Sequence, residues 1–290
     1  MLYPQPLKSG STIAVTAFSS GVDAALHPRL DMVLAHLKQR GFNVIASCRH
    51  PRDVKRLQDE GLTCIQLDLS NQESIENGAK LAIALAPNGL YGLFNNGAYG
   101  QAGALEDLPT QGLREQFETN FFGWHHLVCQ ILPHMRERGE GRIVQNSSVL
   151  GFAAMKYRGA YNASKFAIEG WTDTLRLELH GSGIHISLLQ PGPIETQFRT
   201  NALKAFNKWI NISGSAHQDA YQQQKDRLEN ESSNNAFVLP PESCIEPVFH
   251  ALSANKPKLR YRVTTPTKVF AVLKRILPSR WLDPILRKAA

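Results

Sequence analysis

No run of about 18 apolar residues occurs in the chain, so no membrane-spanning helix is expected. Residues 1–10 contain no apolar stretch of the kind that opens a secretory leader. Cysteine is scarce. Cys48, Cys64, Cys129 and Cys244 are spaced neither as metal ligands nor as pairs. That argues against a metal site and a disulfide framework, and it fits free thiols in a reducing, cytoplasmic setting. No internal repeat is evident. No nucleic-acid-binding motif accompanies the net charge of +7. The basic excess falls in the tail between Lys256 and Lys288, so nucleic acid is not an expected partner.

What is present describes a globular chain. Its 290 residues, 42% hydrophobic and 20% charged, suffice for one large α/β domain with a substantial core. Strand-like runs at 13–16, 44–47, 64–67, 93–95, 143–145 and 184–189 alternate with helix-like ones. This alternation predicts a parallel sheet with helices on both faces. The first helix is expected over 28–40, with Leu30, Val33, Leu34 and Leu37 on one face. Residues 205–238 are rich in Asn, Gln, Ser and Lys, which suits either a polar lid over a site or a loosely ordered surface insertion. Residues 266–290 form a basic, amphipathic C-terminal extension. It has two readings, a helix docked on the domain or in a subunit contact, and a helix lying in a membrane surface.

The chemistry concentrates in Gly159-Ala160-Tyr161-Asn162-Ala163-Ser164-Lys165. On a helix, positions i and i+4 share a face, which places the Lys165 ammonium beside the Tyr161 phenol. A nearby positive charge favours phenolate and lowers a pKa ordinarily about 10. A tyrosine so tuned gives a proton to a carbonyl oxygen or takes one from an alcohol. Ser148, 13 residues before Tyr161, ends a strand-like run and can donate to the same oxygen. Alone, a Tyr and Lys at this spacing are an ordinary surface pair.

Further landmarks change that. Asn95-Asn96-Gly97-Ala98 follows a hydrophobic strand. Asn120 lies in Gln116-Phe117-Glu118-Thr119-Asn120. Pro191-Gly192-Pro193-Ile194-Glu195-Thr196 follows the strand at 184–189. In this order, with Ser148, Tyr161 and Lys165, they resemble the short-chain dehydrogenase/reductase family over residues 46–290, most closely its bacterial retinol- and hydroxysteroid-dehydrogenase-like branch. The resemblance implies a Rossmann-like, doubly wound parallel sheet: one domain over 1–265, with a substrate lid at 205–238 and the helical extension after it. It implies that Tyr161 is the general acid or base, that Lys165 tunes it and holds the nicotinamide ribose, and that Ser148 polarises the substrate carbonyl. Ser147 competes with Ser148, but the family's spacing to the tyrosine selects Ser148. Asn120 would hold a water that links Lys165 to solvent. A homo-oligomer is implied, built on the helices that contain Asn120 and Tyr161.

For the cofactor, the resemblance assigns Asn95, Gly97 and Ala98 to the ribose and adenine side. The family more often has Asn-Asn-Ala-Gly there. Asp68 and Leu69 match the adenine contact, and Pro191, Gly192, Ile194 and Thr196 match the loop that binds carboxamide and pyrophosphate. The second strand ends in Ala46-Ser47-Cys48-Arg49 with no acid to accept an adenosine 2′-hydroxyl. Arg49 offers a fork suited to a 2′-phosphate, with His50 and Arg52 behind it, so NADP (NADPH) is expected over NAD.

The front end departs from the family. Instead of Thr-Gly-x-x-x-Gly-x-Gly, the chain reads Thr16-Ala17-Phe18-Ser19-Ser20-Gly21-Val22-Asp23. Thr16, Ser19, Ser20 and Gly21 remain to meet a pyrophosphate, while Asp23 adds a negative charge where close approach is needed. Residues 1–45 resemble the N-terminal strand and helix of LD-carboxypeptidases, on Leu7-Lys8-Ser9-Gly10-Ser11-Thr12-Ile13-Ala14-Val15, Ser19-Ser20-Gly21 and His27-Pro28-Arg29-Leu30. No counterpart of that family's catalytic residues follows. The expectation is a chimera joined near residues 44–47. Three functions are open: an NADP-dependent oxidoreductase acting on a small-molecule carbonyl or alcohol (an aldehyde, a ketone, or a retinoid- or steroid-like substrate), a folded chimera that binds cofactor weakly, and a membrane-surface or partner-binding protein using its basic C-terminus.

Overall fold

A computed structural model of the chain describes residues 10–16, 39–196, 198–229 and 237–288. Seven strands form one sheet: β1 (Thr12–Thr16), β2 (Asn43–Cys48), β3 (Thr63–Gln66), β4 (Leu90–Asn95), β5 (Gly141–Asn146), β6 (Ile184–Gln190) and β7 (Arg260–Arg262). Their order is β3-β2-β1-β4-β5-β6-β7 and every pairing is parallel. The order reverses between β1 and β4. In such sheets the carboxyl ends of the strands open a crevice at that switch point.

The helices between strands are α1 (Pro51–Asp59), α2 (Gln72–Ala84), α3 (Thr110–Phe117), α4 (Gly123–Arg138), α5 (Gly159–Glu178), α6 (Phe198–Trp209), α7 (Gln218–Glu229) and α8 (Ile245–Ser253). The chain closes with α9 (Thr265–Ile276) and α10 (Ser279–Lys288). One core packs Ile45, Leu93, Ile143 and Ile186 with Trp124, Leu127 and Ile168. A second packs Ile13, Val44, Val144 and Leu189 with Val248, Leu252 and Tyr261. Most inward residues of the central strands are apolar on both faces, as a sheet covered by helices requires, with Arg142, Gln145, Ser187 and Gln190 as buried polar exceptions.

The six expected strands are all present, with shifted ends. The fourth begins at Leu90 rather than 93, and the third ends at Gln66 rather than 67. The sequence reading missed β7, an edge strand of three residues whose two arginines flank one buried residue, Tyr261. Within 205–238 the described part is mostly helical and packed, not a loose insertion. It contains the end of α6 and all of α7, whose Phe206, Ile210, Tyr221 and Leu228 close a third core against Ala102 and Ala104. Polar composition there marks the outer faces of helices. The expected helix at 28–40, and the loop with Ser19, Ser20, Gly21 and Asp23, lie outside the described residues apart from the helix's last positions.

Candidate active site

The site forms where β5, α5 and the segment after β6 meet. β5 runs out through Asn146 into Ser147 and Ser148. There the backbone is extended, and the Ser148 Oγ accepts from Leu150 N at 3.1 Å, starting a short 3₁₀ turn at Val149–Gly151. Val149 N donates to Pro191 O at 2.8 Å, which ties this turn to the loop after β6. α5 begins at Gly159 and carries Tyr161, Lys165 and Glu169 one turn apart on its buried side. Of the two serines, Ser148 is the one hydrogen-bonded to the Tyr161 phenol. Ser147 Oγ is buried beside Gly151, where an added Cβ would lie 2.5 Å from it.

Lys165 is 1% exposed. Its Nζ donates to Asn146 O at 2.6 Å and lies 4.4 Å from the Trp124 ring centroid and 5.6 Å from that of Tyr161. Trp124 is fixed in turn by donating Nε1–H to Gly97 O at 2.8 Å. Phe198, the first residue of α6, packs edge-on to Tyr161 with centroids 5.1 Å apart. It also fills the space beside Gly100, where a Cβ would lie 2.4 Å from its ring.

These surroundings correct the expected titration. Burial pushes the Tyr161 phenol up to about 12, with the Ser148 hydrogen bond offsetting only part of the shift. Burial also pulls Lys165 down to about 7, offset in part by the Glu169 carboxylate. The expectation of a lowered phenol pKa counted the lysine charge and not the desolvation, which dominates at a buried site. The ammonium is also engaged with the Asn146 carbonyl and the indole face.

Asn120 sits fully buried in a π-helical turn, Glu118–Phe122, between α3 and α4. Its Oδ1 accepts from Tyr99 N at 3.1 Å, and its Nδ2 donates to Tyr99 O at 2.9 Å and to Ser164 Oγ at 3.3 Å. The side chain pins the 99–101 segment to α5, so its amide is engaged with protein.

On the cofactor side, Thr16 ends β1 opposite Asn95, which is buried at the end of β4. Gly97 and half-buried Ala98 follow, and Ala98 packs on the core. Asp68 turns its Oδ1 to Ser70 N and Ser70 Oγ, at 2.9 and 2.7 Å. The Leu69 side chain belongs to the core, and its carbonyl lies against Gly123, where a Cβ would approach within 2.0 Å. Arg49 is exposed at the end of β2, with its Nε 3.3 Å from His50 Nε2; Arg52 is exposed on α1. Pro191 and Gly192 are half-buried. Gly192 meets the start of α9, with Thr264 Oγ1 2.1 Å from where a Cβ would stand. Ile194 bridges to Leu239, and exposed Thr196 accepts from Phe198 N at 3.3 Å.

Four contributors escaped the sequence reading. Trp124 covers Lys165. Phe198 covers Tyr161. Glu169 accepts from Gln190 Nε2 at 2.8 Å and from Arg260 Nε at 3.1 Å, and Arg260 reaches on to Asp173 at 2.6 Å. The run 165, 169, 173 at helical spacing was a usable signal; the arginine, 91 residues away, was not. Outside this set, Cys48 and Cys64, apart in sequence, are buried on neighbouring strands and hydrogen-bonded as free thiols.

The residues of the described half fit a nicotinamide nucleotide. Lys165 has three N–H donors and gives one to Asn146 O, and Asn146 Oδ1 has no protein partner among the described residues. Buried donors and an acceptor beside a phenol suit the hydroxyls of a ribose.

A doubly wound parallel sheet with a Ser, Tyr and Lys gathered where β5, α5 and the segment after β6 meet defines a nucleotide-dependent oxidoreductase. Residues 13–206 match the family described as "short chain dehydrogenase", and the chain belongs to that family, whose members bind NAD or NADP. It is similar to the "Uncharacterized oxidoreductase YbbO" of Escherichia coli strain K12, with 42% identity over 277 residues, 95% of this chain and 94% of that one. Two solved structures share the fold. A short chain dehydrogenase from Burkholderia cenocepacia in complex with NADP superposes with a TM-score of 0.70, 20% identity, and 96% and 98% of the two chains covered. One from Burkholderia phymatum in complex with NAD gives 0.70, 23%, and 92% of each.

Proposed function

We propose that the protein interconverts a carbonyl and an alcohol on an apolar small molecule, using NADP(H), with Tyr161 as the general acid or base. The observation that carries this reading is the buried Tyr161 phenol, hydrogen-bonded to Ser148, on one helix face with Lys165 and beneath Phe198. A bound nicotinamide nucleotide would supply or accept the hydride at the substrate carbon. Tyr161 supplies the proton to the substrate oxygen in reduction and removes it in oxidation. Ser148 donates a hydrogen bond to that oxygen as charge develops on it. Lys165 donates to the ribose hydroxyls and favours a developing phenolate. The aromatic ring of Phe198 favours an apolar group next to the reacting carbon.

Arg49, exposed at the end of β2, supports NADP over NAD: a guanidinium there attracts a 2′-phosphate and leaves a 2′-hydroxyl without an acidic acceptor. The second reading, a folded chimera that binds cofactor weakly, rests on the missing glycines of 16–23 and on Asp23.

Two measurements test these readings. Tyr161→Phe lowers carbonyl reduction by about 10²–10⁴ while NADPH affinity stays nearly constant; unchanged turnover removes Tyr161 from its role. NADPH binds more tightly than NADH, and Arg49→Ala closes the gap by about tenfold or more, as loss of a charge-assisted hydrogen bond does. Equal affinities in the parent protein refute the NADP preference, and feeble binding of both supports the chimera.

A further inference from the structure

The two C-terminal helices carry a surface that the oxidoreductase site does not use. On α9, Val269, Val272 and Ile276 follow at i, i+3 and i+7 and are 48%, 53% and 70% exposed. On α10, Trp281 and Ile285 at i and i+4 are 65% and 39% exposed. These are not the faces that hold the helices to the domain. Thr267 and Ala271 on α9, and Leu282 on α10, are the buried ones. Around the exposed apolar residues stand Lys268, Lys274, Arg275, Arg280, Arg287 and Lys288, all exposed, against one acid, Asp283. Six positive charges less one negative charge leave +5 on residues 265–288.

We propose that α9 and α10 bind the surface of a bilayer containing anionic phospholipid. Trp281, Ile276, Val272, Val269 and Ile285 enter the interfacial region, and the cations meet headgroup phosphates and carboxylates. Charge selects this occupant. A second copy pairing by the same patch would set +5 against +5, which opposes association. An exposed tryptophan and branched apolar residues among lysines and arginines match what an interfacial helix buries and what it leaves in the headgroups. No described helix is long and apolar enough to cross the membrane, so the contact is with its surface.

The position has a consequence for the site. α9 starts with Thr264 and Thr267 packed on Gly192, in the loop expected to hold the cofactor. Docking holds that loop near the bilayer, where apolar carbonyls and alcohols dissolve. This consequence rests on the proposed function; the docking does not.

The test uses the full chain with vesicles of phosphatidylcholine alone, or with about a third phosphatidylglycerol, at low salt. The protein sediments with the anionic vesicles only, and added salt releases it. Each of Lys268→Ser, Lys274→Ser, Arg275→Ser and Arg280→Ser lowers partitioning about fivefold. Ile276→Ser lowers it without changing the charge. Brominated lipid quenches fluorescence in the parent and not in Trp281→Phe, a conservative change at an exposed position that leaves the fold intact. Failure to sediment with anionic vesicles overturns the proposal, as does binding that none of the substitutions weakens. So does dissociation of an oligomer by Ile276→Ser, which would show that a second copy covers the patch.

Discussion

Lys165 is a cation held by one carbonyl, one indole face and the field of a carboxylate four residues on. Its pKa is pulled from the ordinary lysine value down to about 7, so between pH 7 and about 10 the unfolded chain binds a proton that the folded chain does not. Stability of the cofactor-free protein therefore rises with pH across that window, and the penalty is fully present below it. Lys165→Met removes the penalty. Urea unfolding at pH 6 should find the variant more stable by about 1–4 kcal/mol, with the difference shrinking towards pH 10; a variant less stable at every pH would show that the bond to Asn146 outweighs burial. Tyr161, pushed up to about 12, keeps its proton at neutral pH, as its proposed role of acid in reduction requires. The choice of Ser148, Tyr161 and Lys165 was legible in the sequence because all three lie within 18 residues on one turn and one helix. Their titration was not. It depends on Trp124 and Phe198, which arrive from other elements, and on Glu169, whose partner Arg260 lies on β7.

α6 and α7 were legible as a polar segment but not as helices, because their buried residues are sparse: Phe206, Ile210, Tyr221 and Leu228 among amides and charges. What holds them is a polar tether. Tyr221 OH donates to Asp107 and accepts from Ala104 N at 3.0 Å, and Ser215 Oγ donates to Asp107 at 2.6 Å. These bonds, Ser215 first and Tyr221 second, hold the Asp107 carboxyl below the usual carboxylate range. Its contribution is present above about pH 4 and is lost as pH falls through the lowered value. α6 also carries Phe198 onto Tyr161, so the tether bears on the site. Tyr221→Phe removes a bond to a carboxylate and leaves Ala104 N without its acceptor, which costs on the order of 1–3 kcal/mol. If α6 and α7 form the proposed substrate lid, the variant should raise KM for substrate more than it lowers kcat, since neither helix carries a residue proposed for proton transfer. A variant with an unaltered urea midpoint and unaltered KM would mean that α6 and α7 are held by Phe206 and its apolar neighbours alone. The parallel sheet, by contrast, followed from alternation. Its only unforeseen member is the three-residue edge strand β7, whose Arg-Tyr-Arg carries no strand-like pattern.

At the scale of the whole molecule, the site joins two halves with different claims on the family pattern. β4 to β6 and α5 carry Ser148, Tyr161 and Lys165, the residues proposed for proton transfer and for holding the ribose. The loop after β1 should carry the pyrophosphate, and there Thr16-Ala17-Phe18-Ser19-Ser20-Gly21-Val22-Asp23 has lost two glycines and gained an acid. Sheet and cofactor site respond differently to such a change. A strand–helix unit with apolar residues at helical spacing can stand in for another, because cores tolerate new side chains of suitable volume. A pyrophosphate site cannot, because it needs backbone amides within hydrogen-bond reach and no negative side chain between. The parent should therefore unfold as one cooperative unit and bind NADPH weakly. Restoring Thr-Gly-x-x-x-Gly-x-Gly with the family's shorter loop should tighten NADPH by about tenfold or more, at least 1.4 kcal/mol. Turnover should recover in step, while the urea midpoint without cofactor moves little. Titration calorimetry on parent and repaired chains decides it: low-micromolar NADPH binding by the parent, with no gain on repair, would show that the altered loop serves the cofactor as it stands and that residues 1–45 belong functionally with the rest.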